Sequence, residues 1–168
     1  MKSFIERLNE VNSLADIFEL VKDAVRKIYN IGRAGLSRGL AELGLERGYF
    51  IGAFHPVGSN IIIMNKTPFR MIEKINPELI KPYAFHILLH EYIHTLGNLD
   101  EDSTRRMTYQ IVSIIFGPDH PATLMSKDLS RFFPNLNLIH LPTGWQPPKD
   151  MQIEMVPDFD KSNINYIA

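Results

Sequence analysis

The stretch Pro82–Leu96, PYAFHILLHEYIHTL, constrains this chain more than any other part of it. Ala84, Phe85, Ile87, Leu88, Leu89, Tyr92, Ile93 and Leu96 fall on nearly every side of a 3.6-residue helix, which predicts a helix enclosed by other elements. Its ends are written in the sequence. Pro82 suits the first helical position, where its missing N–H has no partner to lose, and Gly97 suits the left-handed residue just past the last turn. Yet the same helix carries His86, His90, Glu91 and His94. Enclosing such groups without partners costs roughly a few kcal/mol, so something must satisfy them.

Internal hydrogen bonds of a histidine-rich core helix are one answer, and the spacing offers another, a metal ion. Residues four apart on a helix lie one above the other, about 6 Å apart, so His90 and His94 can grip one tetrahedral ion and leave coordination positions open. Glu91 is about 100° further round, badly placed to ligate the same ion and well placed to take a proton from a water that the metal activates. His86 lies about 80° round from His94 and is expected to flank the site. A third ligand must come from outside the helix. Asp100 follows shortly, with Gly97 allowing the chain to reverse toward the ion. Asp100-Glu101-Asp102-Ser103-Thr104 also reads as the start of a helix running to about Phe116 and closed by Gly117-Pro118, with Asp100 as its N-cap. If Asp100 only caps, Glu101 is the alternative third ligand, and His120 and His140 complete the candidates.

His90-Glu91-x-x-His94-x-x-Gly97-x-x-Asp100 resembles the extended motif of the metzincin metallopeptidases, in the form whose last ligand is Asp. That resemblance implies a zincin-like fold in which His90, His94 and Asp100 bind Zn2+ and Glu91 is the general base. It also implies a methionine turn beneath the metal, for which Ala122–Ser126 offers Met125, although the Tyr that often follows this Met in the family is Ser126 here. With Glu101 as third ligand, the pattern instead resembles the gluzincins, where a Glu of the following helix completes the site, including their minimal single-domain members. Either likeness implies a zinc-dependent metallopeptidase acting on a peptide or protein substrate. Its oxyanion donor is sought among Tyr92, Tyr109, His120 and Arg105. The His-x3-His-x5-acid spacing also resembles a bacterial RNA-processing metallohydrolase family, and a zinc-binding regulatory domain with weak catalysis is a third reading. Glu91 and the lack of a basic stripe argue against RNA.

The remaining chain predicts an α+β domain, a small sheet packed against several helices. Residues 4–29 place apolar side chains at helical spacing, in one long amphipathic helix or a bent pair. Ser37 is expected to cap a short helix ending near Gly44. Tyr49–Phe54 and Asn60–Met64 read as a hairpin or irregular strand pair, and the zincin resemblance makes Ile61–Asn65 a candidate substrate-binding edge, with a buried central strand as its alternative. Thr67-Pro68 opens another short helix into Ile75. Prolines concentrate from Pro118 onward, and residues 139–168 lack a sustained helical period while keeping many apolar side chains. They are expected to wrap as an extended C-terminal segment on the domain or across its cleft, with restraint of activity as one possible consequence.

Bulk properties set the outer limits. A chain of 168 residues, 45% hydrophobic and 22% charged, suits one globular domain spanning 1–168. A net charge of -1 offers no field for nucleic acid. Zero cysteines leave only imidazole and carboxylate as zinc ligands. No apolar run is long enough to span a membrane and MKSFIERLNEVN has no signal-like core, so a cytoplasmic protein without a membrane partner is expected.

Overall fold

The computed structural model describes residues 1–44, 49–56, 58–133, 137–138, 147 and 149–156. Among them the order is α1 Phe4–Glu10, α2 Leu14–Tyr29, β1 Ser37–Ala41, β2 Tyr49–Phe50, β3 Ala53–Phe54, β4 Ile61–Asn65, α3 Lys66–Ile75, α4 Ile80–Thr95, α5 Glu101–Phe116, α6 Pro121–Lys127, β5 Asn137–Leu138 and β6 Glu154–Met155, with 3-10 turns at Pro77–Leu79 and Leu129–Phe132. The class is α+β. Four strands form a mixed sheet in the order β3-β4-β1-β6, and β2 pairs with β5 apart from it.

Helix α4 sits in the middle, as its all-round hydrophobicity requires. Tyr83, Ala84, Phe85, Leu88, Leu89, Tyr92 and Ile93 are fully buried in one core with Phe18, Val21 and Val25 of α2, Ile62 and Met64 of β4, and Ile111 and Val112 of α5. The helix starts at Ile80, before the sequence expectation, because Pro77–Leu79 leads directly into it; Pro82 still falls in the first turn, where no amide hydrogen is needed. Residues 4–29 form the bent pair. Ser13 breaks the run and caps α2 by accepting from the Asp16 amide.

The sheet departs from expectation in two places. Ser37–Ala41 is a strand, not a capped helix: Ser37, Gly39 and Ala41 register with Ile61, Ile63 and Asn65 of β4 in parallel pairing. Short stretches take their state from such partners rather than from propensity. Strand β4 is central, held by β1 on one side and antiparallel β3 on the other, so Ile61–Asn65 is not an edge; the edge is Ala53–Phe54. Asn65 ends β4 and starts α3, its side chain accepting from the amides of Thr67 and Leu43 and donating to Ile51 O.

Of the C-terminal segment 139–168, the described part is Pro147 and residues 149–156; Trp145, Phe159, Ile164, Tyr166 and Ile167 lie outside the described residues. The described part returns along β1, with Gly39 opposite Met155 and Leu40 opposite Glu154. Met151 packs into a small cluster of Ala41, Phe54 and Ile63 on the sheet face away from the main core. Ile153 crosses Gly39 so closely that a Cβ there would stand 2.2 Å from Ile153 Cγ2, which makes glycine a packing requirement at this position.

Candidate metal centre

His90 and His94 project from the last turns of α4 toward the start of α5. Their Nε2 atoms are 3.2 Å apart. The chain leaves α4 through Gly97, whose φ of 104° belongs to the region that favours glycine. This reversal brings Asn98 back under the helix end, where its carbonyl oxygen lies 2.7 Å from His94 Nδ1. Asn98 is itself tied to α5, its amide donating to Ser103 Oγ at 3.1 Å.

The next two residues carry the candidate acids. Asp100 is the N-cap of α5, its carboxylate accepting from the Ser103 amide at 2.7 Å. Asp100 was the expected third ligand and Glu101 its alternative; in this structure it is the Glu101 carboxylate that meets the two rings. Glu101 Oε1 is 2.8 Å from His94 Nε2 and Oε2 is 3.2 Å from His90 Nε2. A carboxylate oxygen of Glu91 also lies within 4.8 Å of the two imidazole nitrogens. Both Glu91 and Glu101 therefore offer a carboxylate to the two rings.

Whether these atoms suit a metal can be tested on their own chemistry. A carbonyl oxygen can only accept, so Asn98 fixes the His94 proton on Nδ1 and leaves a lone pair on Nε2 in the neutral ring. That lone pair faces a carboxylate oxygen, an arrangement that is repulsive until a proton or a cation lies between them. The two imidazole Nε2 atoms are 3.2 Å apart, close to the separation of about 3.3 Å between two zinc ligand atoms with bonds of about 2.0 Å. A backbone carbonyl holding the far ring nitrogen is a usual support for a ligating histidine. The donor set fits a divalent ion that prefers nitrogen and oxygen.

Burial and charge act differently on each group. Burial pulls His90 below its usual range, against the hydrogen bond to Glu101. Burial also works to lower His94, but Glu101, Glu91 and the Asn98 carbonyl together hold it above the usual value. Glu91 is driven up to about 8 by burial, eased by His94 and reinforced by Glu101.

Other candidates fall elsewhere. His120 caps α6, its Nδ1 accepting from the Ala122 amide while the ring stacks on Phe116 at 4.4 Å, which removes it from the site. His140 lies outside the described residues. Met125 belongs to α6 and not to a turn; it lines a cavity beside His90. His86 lines the same cavity. Tyr92 is buried with its hydroxyl accepting from the Arg33 amide at 2.9 Å, Tyr109 lies 5.4 Å from Lys127 Nζ, and Arg105 lines the cavity that includes His90.

Two residues escaped the sequence reading. Arg33 donates to Thr95 O at 2.9 Å and to Ser59 O at 3.2 Å, clamping the end of α4 to the β3–β4 connection. His55, on that connection, holds its Nδ1 2.9 Å from Ile61 O, and burial first, with Arg33 and His94 adding to it, lowers its affinity for a proton despite this bond. No local pattern announces either, because both act across the fold. Comparison of the chain with family models, curated proteins and solved structures found no match in any of the three.

Proposed function

We propose that this chain is a zinc-dependent metallopeptidase of zincin-like build, with a gluzincin-like ligand set of His90, His94 and Glu101. The observation that carries the reading is the convergence of two imidazole nitrogens and a carboxylate, with His94 locked by Asn98 O into the form that presents a bare Nε2. The antiparallel edge Ala53–Phe54 next to β4 supports it, because an extended peptide can add to such an edge by main-chain hydrogen bonds.

Zinc held by three protein ligands would supply an acidified water and a polarised substrate carbonyl. The chain's own contribution centres on Glu91. Its buried carboxylate accepts a proton from the attacking water and delivers it to the departing amine nitrogen. Asn98 and Glu101 hold the imidazoles still while this happens, and the apolar shell around α4 limits competing water.

Metal analysis of the purified protein, followed by incubation with unfolded protein and with RNA in the presence and absence of chelator, tests the reading. We expect about one zinc per chain and chelator-sensitive cleavage of protein alone. Glu91→Gln should keep the metal and lose turnover, whereas His94→Ala should lose both. Full activity in the Gln variant would reject the base, and RNA cleavage would reject the substrate class.

A further inference from the structure

The chain between α4 and α5 has little packing of its own. From Gly97 to Asp100 only Asn98 is half-buried, while Gly97, Leu99 and Asp100 are exposed. A connection with so few buried contacts has no intrinsic reason to keep one path. Yet one of its carbonyls, Asn98 O, has to hold a fixed place 2.7 Å from His94 Nδ1.

The Asn98 side chain supplies the mooring. Its Nδ2 lies 3.1 Å from Ser103 Oγ and 3.1 Å from Met107 Sδ. Ser103 and Met107 are four residues apart on α5, so their acceptors fall on one face of that helix, and a carboxamide nitrogen carries two hydrogens to share between them. Thr104, fully buried on the same helix, backs the carbonyl: its hydroxyl is 3.3 Å from Asn98 O and donates to Asp100 O at 2.8 Å. Helix α5 also begins with Glu101, whose Oε1 is 2.8 Å from His94 Nε2. One helix therefore addresses both nitrogens of a ring that another helix carries.

We propose that Asn98 is a positioning residue of the metal centre: its side-chain amide, docked on Ser103 and Met107, fixes the carbonyl that orients the His94 ring and keeps that ring in register with Glu101. The proposal rests on the metal-centre reading above. An amide is required for this, because an ionised Asp has the same shape but no donor, and Leu has similar volume but no polar atom. Without the mooring the carbonyl moves, the His94 ring loses its support, and Nε2 no longer points steadily at an ion shared with His90 and Glu101.

The test measures zinc affinity of the folded full chain by competition with a chromophoric chelator, together with the absorption spectrum of cobalt(II) bound in place of zinc. Asn98→Leu should weaken zinc binding by about tenfold to a hundredfold and alter the cobalt bands. Ser103→Ala combined with Met107→Leu, which removes both acceptors and leaves Asn98 in place, should do the same. Ser103→Thr, which keeps a hydroxyl, should bind zinc like the parent. A side chain that only steadied the fold would lower the urea midpoint of the metal-free protein and leave the zinc affinity and cobalt spectrum of the folded protein unchanged; that result overturns the proposal while leaving the metal centre standing. If the parent protein binds neither ion, the metal reading fails instead, and the proposal is judged on the metal-free protein from the nitrogen NMR shifts of the neutral His94 ring. There Asn98→Leu should reduce the share of the form protonated on Nδ1, and an unchanged share overturns the proposal.

Discussion

Glu101 Oε1 stands 2.8 Å from His94 Nε2, while the neighbouring Asp100 carboxylate bonds to the Ser103 amide instead. Of two adjacent acids, one meets the imidazole and the other caps α5. Glu101→Gln should lower zinc affinity by about tenfold or more while changing stability of the metal-free protein little. Asp100→Ala should retain zinc and cost about 1 kcal/mol in unfolding free energy. Calorimetric zinc titration and urea unfolding read the two effects; loss of zinc from the Asp100 variant alone would restore that residue as the ligand.

Glu91 gives the metal-free protein a characteristic response to pH. Its folded value of about 8 lies above the 4.5 expected unfolded, so between those limits the folded state keeps a proton that the unfolded state has released. Stability from this group is therefore full in acid and is lost as pH rises through 8, by at most about 1.4 kcal/mol per pH unit. His94, also raised, acts in the same direction; His90, lowered, opposes it. In chelator, the urea midpoint should fall between pH 5.5 and pH 8, and Glu91→Gln should flatten much of that fall. An unchanged slope in the variant would show that Glu91 is not the source.

Arg33 satisfies the carbonyl of Thr95 at the end of α4, a group that no helical amide can reach. Replacing it with Met keeps the aliphatic stem and removes the donors. We expect a loss of about 1–3 kcal/mol in stability, together with weaker zinc binding because the helix end that carries His94 is no longer clamped. Unfolding curves with and without zinc separate the two effects, and a variant as stable as the parent would remove Arg33 from the account.

Gly39 and Ile153 form a pair that a double-mutant cycle can isolate. Gly39→Ala places a methyl 2.2 Å from Ile153 Cγ2 and should destabilise by about 1–3 kcal/mol, through overpacking or displacement of the strand. Ile153→Ala removes the colliding atom, so the double variant should be more stable than the sum of the single losses predicts. Strict additivity would mean that the two residues do not meet.

The central helix was legible because its signal is dense: buried positions on every side, Gly97 at its exit and two histidines one turn apart. The start of α5 was legible for the same reason, with Asp100 as cap and Gly117 as stop. What could not be read is what depends on partners distant in sequence. Ser37–Ala41 contains residues acceptable in a short helix, and only the ladder with Ile61–Asn65 makes it a strand. The choice between Asp100 and Glu101 depends on which carboxylate the reversal after Gly97 aims at the rings, a question of backbone path that residue spacing alone leaves open. Arg33 and His55 belong to segments whose local composition says only that the chain turns.

Strand β6 has a consequence for how copies of this molecule meet one another. Without it, the whole of β1 would offer a ready row of unpaired amides and carbonyls, the kind of template on which neighbouring chains stack into aggregates. The covering piece is two residues long and ends the row with Glu154, whose charge, held by Lys66 at 2.7 Å, discourages a further strand from joining. This side of the sheet is thus closed by a short run of chain remote in sequence from the histidines.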